Sequence, residues 1–133
     1  MSAIGKLAIL SSKTPHLLLV DDELHQLELC ASVMKLQGYS VKAVSDPRLA
    51  VLTMAAQKAD LAILDYDMPI MNGCELAGHL KRVHPSLKVI LHSGLVEAPE
   101  HNPDHIDAFV SKGQGVTLLL KRISELLPRK PQP

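Results

Sequence analysis

Short, solid apolar runs alternate with longer stretches of helical spacing along nearly all of this 133-residue chain. His16–Val20 and Leu61–Leu64 are unbroken apolar runs, as expected of strands covered on both faces. Between them the period changes. Leu24, Leu27, Ala31 and Met34 lie three and four apart, which predicts a helix over 23–37 that Gly38 stops. Ser40–Val44 alternates polar and apolar residues and reads as a strand at or near an edge. Asp46 and Pro47 open a helix as N-cap and first helical residue, and that helix runs to about Gln57.

The second half repeats the scheme. Pro69, Asn72 and Gly73 make 65–73 a loop. Leu76, Leu80 and Val83 mark a helix from Cys74 that Pro85 closes, and 88–92 is a strand. Pro99 and Pro103 break 95–105, so a fourth helix there is short or irregular. A short strand at 107–110 precedes a last helix over 116–127, with Leu119, Leu120, Ile123 and Leu127 on one face and Pro128 beyond it. Five strands with about five helices predict an α/β fold, a parallel doubly wound sheet with right-handed crossovers.

A chain of this length fits one domain, expected at 14–127, with an N-terminal extension at 1–13 and a polar tail at 128–133. Fourteen basic residues balance fourteen acidic ones, so there is no footprint for a nucleic acid. No apolar run approaches the roughly 20 residues of a membrane span. The first residues lack a cleavage-site pattern, so no signal peptide and a cytoplasmic location are expected. Cys30 and Cys74, far apart in sequence, fit buried thiols in a reducing compartment. The seven histidines form no metal motif; Pro103 separates His101 from His105, and loop positions in solvent are expected for both.

In doubly wound sheets ligands bind outside the carboxyl ends of the strands. Here the first strand ends at Asp21 and Asp22, the second solid run at Asp65, the next at Ser93 and the last at Lys112. Singly, each has a plainer use: Asp21 or Asp22 could cap a helix, Ser93 could serve a turn, and Lys112 could be a surface lysine. Together they place three carboxylates, a hydroxyl and an ammonium at one sheet edge. Clustered carboxylates repel unless a cation lies between them, and oxygen donors favour a hard ion, Mg²⁺ first. Lys112 and Ser93 suit phosphoryl oxygens, and a carboxylate beside the metal can act as a nucleophile.

The stretches Leu18–Glu23, Asp65-Tyr66-Asp67-Met68-Pro69-Ile70-Met71-Asn72-Gly73, His92-Ser93-Gly94 and Phe109-Val110-Ser111-Lys112 resemble the receiver domain of bacterial response regulators. The similarity covers about Thr14 to Leu127. The resemblance implies a flavodoxin-like strand order 2-1-3-4-5 and a signalling receiver, not a general enzyme. It also implies that the chain catalyses only its own phosphorylation and dephosphorylation. Asp65 would accept a phosphoryl group from a phosphohistidine on a histidine kinase or histidine phosphotransfer protein. Asp22 would bind Mg²⁺ directly, Asp21 mostly through water, and Asp67 through its backbone carbonyl. Ser93 and Lys112 would take the phosphoryl oxygens, and Phe109 occupies the position of the family's aromatic switch. With no room for an output domain after Leu127, output is expected through a partner protein, from a monomer or weak dimer.

Several positions depart from the family pattern. Gly113 follows Lys112 where proline is usual, so the lysine is held less firmly. Gly94 replaces the commoner alanine, which opens the phosphate to water. The distance from Ser93 to Lys112 is a few residues short, and two prolines occupy the fourth helix of the output face. The competing reading is a phosphorylation-independent interaction module that keeps the fold. A metal-dependent phosphatase using Asp65 and Asp67 is a third, weakened because such enzymes carry that motif after their first strand and on a longer chain.

Overall fold

The computed structural model describes residues 14–95, 97–99 and 103–127; the expected N-terminal extension and C-terminal tail lie outside them. Five parallel strands, β1 (His16–Val20), β2 (Ser40–Val44), β3 (Leu61–Leu64), β4 (Lys88–Ser93) and β5 (Ala108–Ser111), form one sheet in the order β2-β1-β3-β4-β5. The α-helices among the described residues are α1 (Leu24–Leu36), α2 (Pro47–Ala56), α3 (Gly73–Val83) and α4 (Val116–Leu126). The fold class and strand order are as expected, whereas the helix count is four rather than about five. Between β4 and β5 the described residues form only a 3₁₀ turn, Pro103–His105. The prolines account for this, since each removes a backbone donor and clashes with the preceding turn.

The alternation of side chains along each central strand builds two cores. Leu17, Leu19, Ile63, Ile90 and Val110 face α1 and α4, meeting Leu27, Met34, Leu119 and Ile123. Leu18, Val20, Leu64, Val89 and Leu91 face α2 and α3, meeting Met54, Leu76 and Leu80. Because β1, β3 and β4 are covered on both sides, their interior residues are apolar with the one exception of His92 near the end of β4, and this accounts for the solid runs. The edge strand β2 exposes Ser40, Lys42 and Ala43. Both cysteines are free and buried.

Capping fixes where the helices enter. Glu23, not Asp21 or Asp22, is the N-cap of α1, its carboxylate accepting from Gln26 N at 2.7 Å. Asp46 accepts from Arg48 N at 2.9 Å with Pro47 at the first position of α2. Asn72 and Glu75 form a reciprocal capping box at α3, with bonds of 2.9 and 3.1 Å. Gly38 closes α1 with a φ of 97°. His105 departs from expectation: it is half-buried, its ring laid against Gly78 of α3. Asp107 holds the start of β5, accepting from Lys81 Nζ at 2.9 Å and from Val89 N at 2.8 Å. Among the described residues no helix is long and apolar enough to cross a membrane.

Candidate functional site

Parallel strands carry their chain ends to one edge, and the residues that follow β1, β3 and β5 meet there. Asp65 N donates to Val20 O at 2.9 Å, so the end of β3 lies against the end of β1. One carboxylate oxygen from each of Asp21, Asp22 and Asp65 falls within 4.8 Å of the others. Asp21 and Asp65 are each only 7% exposed, while Asp22 faces solvent. Lys112 reaches across from the end of β5, its Nζ 2.7 Å from Asp21 Oδ2 and 3.4 Å from Asp65 Oδ1. Asp21 Oδ1 also accepts from Glu23 N at 3.0 Å, which orients the carboxylate that Lys112 holds.

The electrostatics of this group are uneven. Burial, and next the Asp21 carboxylate, push Asp65 up to about 6, against the pull of Lys112. Burial works against the Lys112 ammonium, but Asp21 and Asp65 outweigh it and raise its pKa. One lysine thus faces three acids. A divalent cation among Asp21, Asp22 and Asp65 would relieve the remaining repulsion, and an all-oxygen donor set suits a hard ion such as Mg²⁺. The residues present therefore fit the ion that the sequence suggested.

Ser93 ends β4, is 2% exposed and accepts from Leu95 N at 3.3 Å. Asp67 has an exposed side chain and stands outside the acidic trio. Phe109 is half-buried and packs against the α2–α3 core. Met68 is buried and Met71 half-buried against that same core, so both pack the loop in place.

Three features of the site were not read from the sequence. Gly73 lies so close to the end of β3 that an added Cβ would fall 2.3 Å from Asp65 O and 2.7 Å from Leu91 Cδ1. Ile70 has a φ of 77°, and Met71 N donates to Pro69 O at 2.9 Å, closing a γ-turn around it. A β-branched residue in that turn stores strain of roughly 1–3 kcal/mol. Finally, His92 lies beside the site, only 6% exposed. An imidazole inside an otherwise apolar strand gives no pattern of its own.

A parallel sheet whose carboxyl edge joins an oxygen-donor trio to a lysine and a buried hydroxyl has the donor chemistry that suits a hard cation and a phosphoryl group. The chain belongs to the response regulator receiver domain family, whose model matches residues 17–124. It is similar to the transcriptional regulatory protein GlrR of Escherichia coli K12, at 29% identity over 121 residues, 89% of this chain and 27% of that protein. It is also similar to the response regulator SaeR of Staphylococcus aureus, at 28% over 119 residues, 86% of this chain and 51% of that one. The chain thus spans from about a quarter to a half of the length of these relatives. Among solved structures it resembles the response regulator TrrA of Thermotoga maritima in complex with Mg²⁺–BeF. The TM-score is 0.80 at 26% identity, covering 86% of this chain and all of that one. TrrA in complex with the histidine kinase ThkA matches with a TM-score of 0.79 at 26% identity, covering 86% and 99%.

Proposed function

We propose that residues 14–127 form a phosphoacceptor receiver in which Asp65 takes a phosphoryl group from a phosphohistidine on a histidine kinase or histidine phosphotransfer protein. The observation that carries this reading is the acidic trio with Lys112 across it, Nζ lying 3.4 Å from Asp65 Oδ1. An Asp65 oxygen attacks phosphorus, the P–N bond breaks, and the leaving imidazole nitrogen takes a proton. Asp21, Asp22, Asp65 and the Asp67 carbonyl would hold Mg²⁺, which when bound neutralises charge on the transferring group. Lys112 and the Ser93 hydroxyl bind phosphoryl oxygens, and Phe109 follows Ser93 as the contacts form, a population shift between two packings.

A groove of about 310 Å³ between α1 and the start of α4 supports a protein donor. Leu29 and Val116 stand exposed at its mouth, and Lys112 and His92 line its inner end. The signal then passes to an output protein in the cytoplasm.

The test is to incubate the protein with Mg²⁺ and acetyl phosphate, or with beryllium fluoride, and to read the adduct by intact mass and by fluorine resonances. The wild type is expected to gain an acid-labile adduct and to bind the mimic, while Asp65→Asn does neither. A wild type that binds neither would overturn the reading in favour of an interaction module that works without phosphate. Sustained turnover of small phosphate esters would favour a phosphatase instead.

Gly94 sets a second expectation. A Cβ built there meets nothing within 4 Å, so alanine fits without rearrangement. Gly94→Ala narrows the approach of water and is expected to lengthen the phosphoryl half-life by about threefold. A half-life equal to that of the wild type in a ³²P chase would show that water does not enter past this residue.

A further inference from the structure

His92 is a buried polar side chain that the roles above leave unused. One residue beyond the Leu64–Leu91 pair, Asp65 and His92 stand side by side at the ends of β3 and β4. Both point to the α1–α4 face, as Ile63 and Ile90 before them do. His92 lines the small cavity that Asp21 and Asp65 also line, and it shares the wider groove with Lys112. The side chain is 6% exposed, and among the described residues its ring makes no hydrogen bond. Burial, and next the Lys112 ammonium, hold its pKa down to about 4, so one ring nitrogen carries a free lone pair.

Lys112 has the opposite need. Its ammonium carries three donors, and the acceptors it reaches are Asp21 and Asp65. Asp21 is also one of the acids placed to hold the cation. When the cation takes that carboxylate, Lys112 loses its 2.7 Å partner. Gly113 offers no rigid backbone to hold the lysine in place.

We propose that His92 is a positioning residue for phosphorylation, its imidazole accepting from Lys112 Nζ and holding the ammonium over Asp65 once a divalent cation has drawn Asp21 away. This rests on the phosphoacceptor reading of Asp65. The hydrogen bond is charge-assisted and sits in a groove where both residues are largely buried, so its loss should be felt in the rate of phosphoryl uptake.

The experiment compares wild type, His92→Leu, which removes the acceptor at similar volume, and His92→Asn, which restores one. Each is made in the natural background and with Lys112→Met. With acetyl phosphate at saturating Mg²⁺, His92→Leu is expected to slow phosphorylation about tenfold, and His92→Asn to recover most of it. In the Lys112→Met background His92→Leu should change nothing further. A second readout needs no phosphoryl donor: Mg²⁺ alone should shift the His92 ring ¹⁵N resonances, and Lys112→Met should abolish the shift. Equal rates for wild type and His92→Leu, or the same tenfold loss with and without Lys112, would overturn the proposal. If the wild type takes up no phosphoryl group at all, the phosphoacceptor reading itself fails; the Mg²⁺-dependent ring shift still judges the His92–Lys112 contact.

Discussion

Asp65→Asn is expected to be more stable than the wild type at pH 7 in EDTA, and to carry no phosphoryl group under any condition. The folded protein holds the Asp65 pKa at about 6, whereas the unfolded chain keeps it near the ordinary carboxylate value. Between those values the folded state binds the extra proton, so stability falls as pH rises from roughly 4 to roughly 6, and the deficit is complete above. Asparagine resembles the protonated form and avoids that deficit. The gain should be about 1 to 3 kcal/mol at pH 7 and vanish near pH 3.5. Saturating Mg²⁺ should reverse the order, adding roughly 4.1 kcal/mol to the wild type at about a thousand times its dissociation constant and little to the variant. Urea titrations of both proteins at pH 3.5 and 7, with EDTA and with Mg²⁺, check every part. A wild type that outlasts the variant at pH 7 in EDTA would show that the three acids do not repel as their geometry requires.

Gly73→Ala should have the largest effect outside the acidic trio. Its methyl would lie 2.3 Å from the carbonyl oxygen of Asp65 and 2.7 Å from Leu91 Cδ1. The leucine tip can turn aside, but the carbonyl belongs to the backbone of Asp65, the proposed phosphoacceptor, and can yield only by moving that residue. Overpacking of this kind costs about 3 kcal/mol. A displaced nucleophile should also slow phosphorylation by acetyl phosphate by at least about tenfold, because reaction depends steeply on alignment. Denaturant midpoints and initial rates measure the two effects separately. A variant with wild-type stability and rate would mean that the start of α3 can slide freely past β3.

How much of this was legible in the residues depends on what surrounds each one. The three central strands could be read because two helical layers make nearly every interior position apolar, as Leu17 to Val20 show, with His92 in β4 the exception. The acid trio could be read because chain order places Asp21, Asp22 and Asp65 directly after such runs, and parallel pairing brings their ends together. The fourth helix was expected to be short or irregular because of Pro99 and Pro103, and a 3₁₀ turn is what the described residues form there. Packing against other elements hid the rest. Nothing in Gly73 itself announces a carbonyl at its back, and nothing in Ile70 announces a positive φ. His105 looked like a solvent-facing loop residue because Gly78, its neighbour in space, is 27 positions away in a chain read one residue at a time.

The position of β5 has a consequence for when the site exists at all. This strand pairs on one side only, with β4, and Ala108 and Phe109 are half-buried where the described crossover supplies a single turn. Asp65 follows β3, which has a strand on either side and a helical layer on each face. Local opening free energies follow such differences in cover, so the edge of the sheet opens before its middle. Lys112, directly after β5, rides on the margin that frays first, and Asp65 on the strand that holds longest. The acids therefore persist through brief excursions that remove the lysine, and assembling the complete site becomes a late, reversible event within the folded protein.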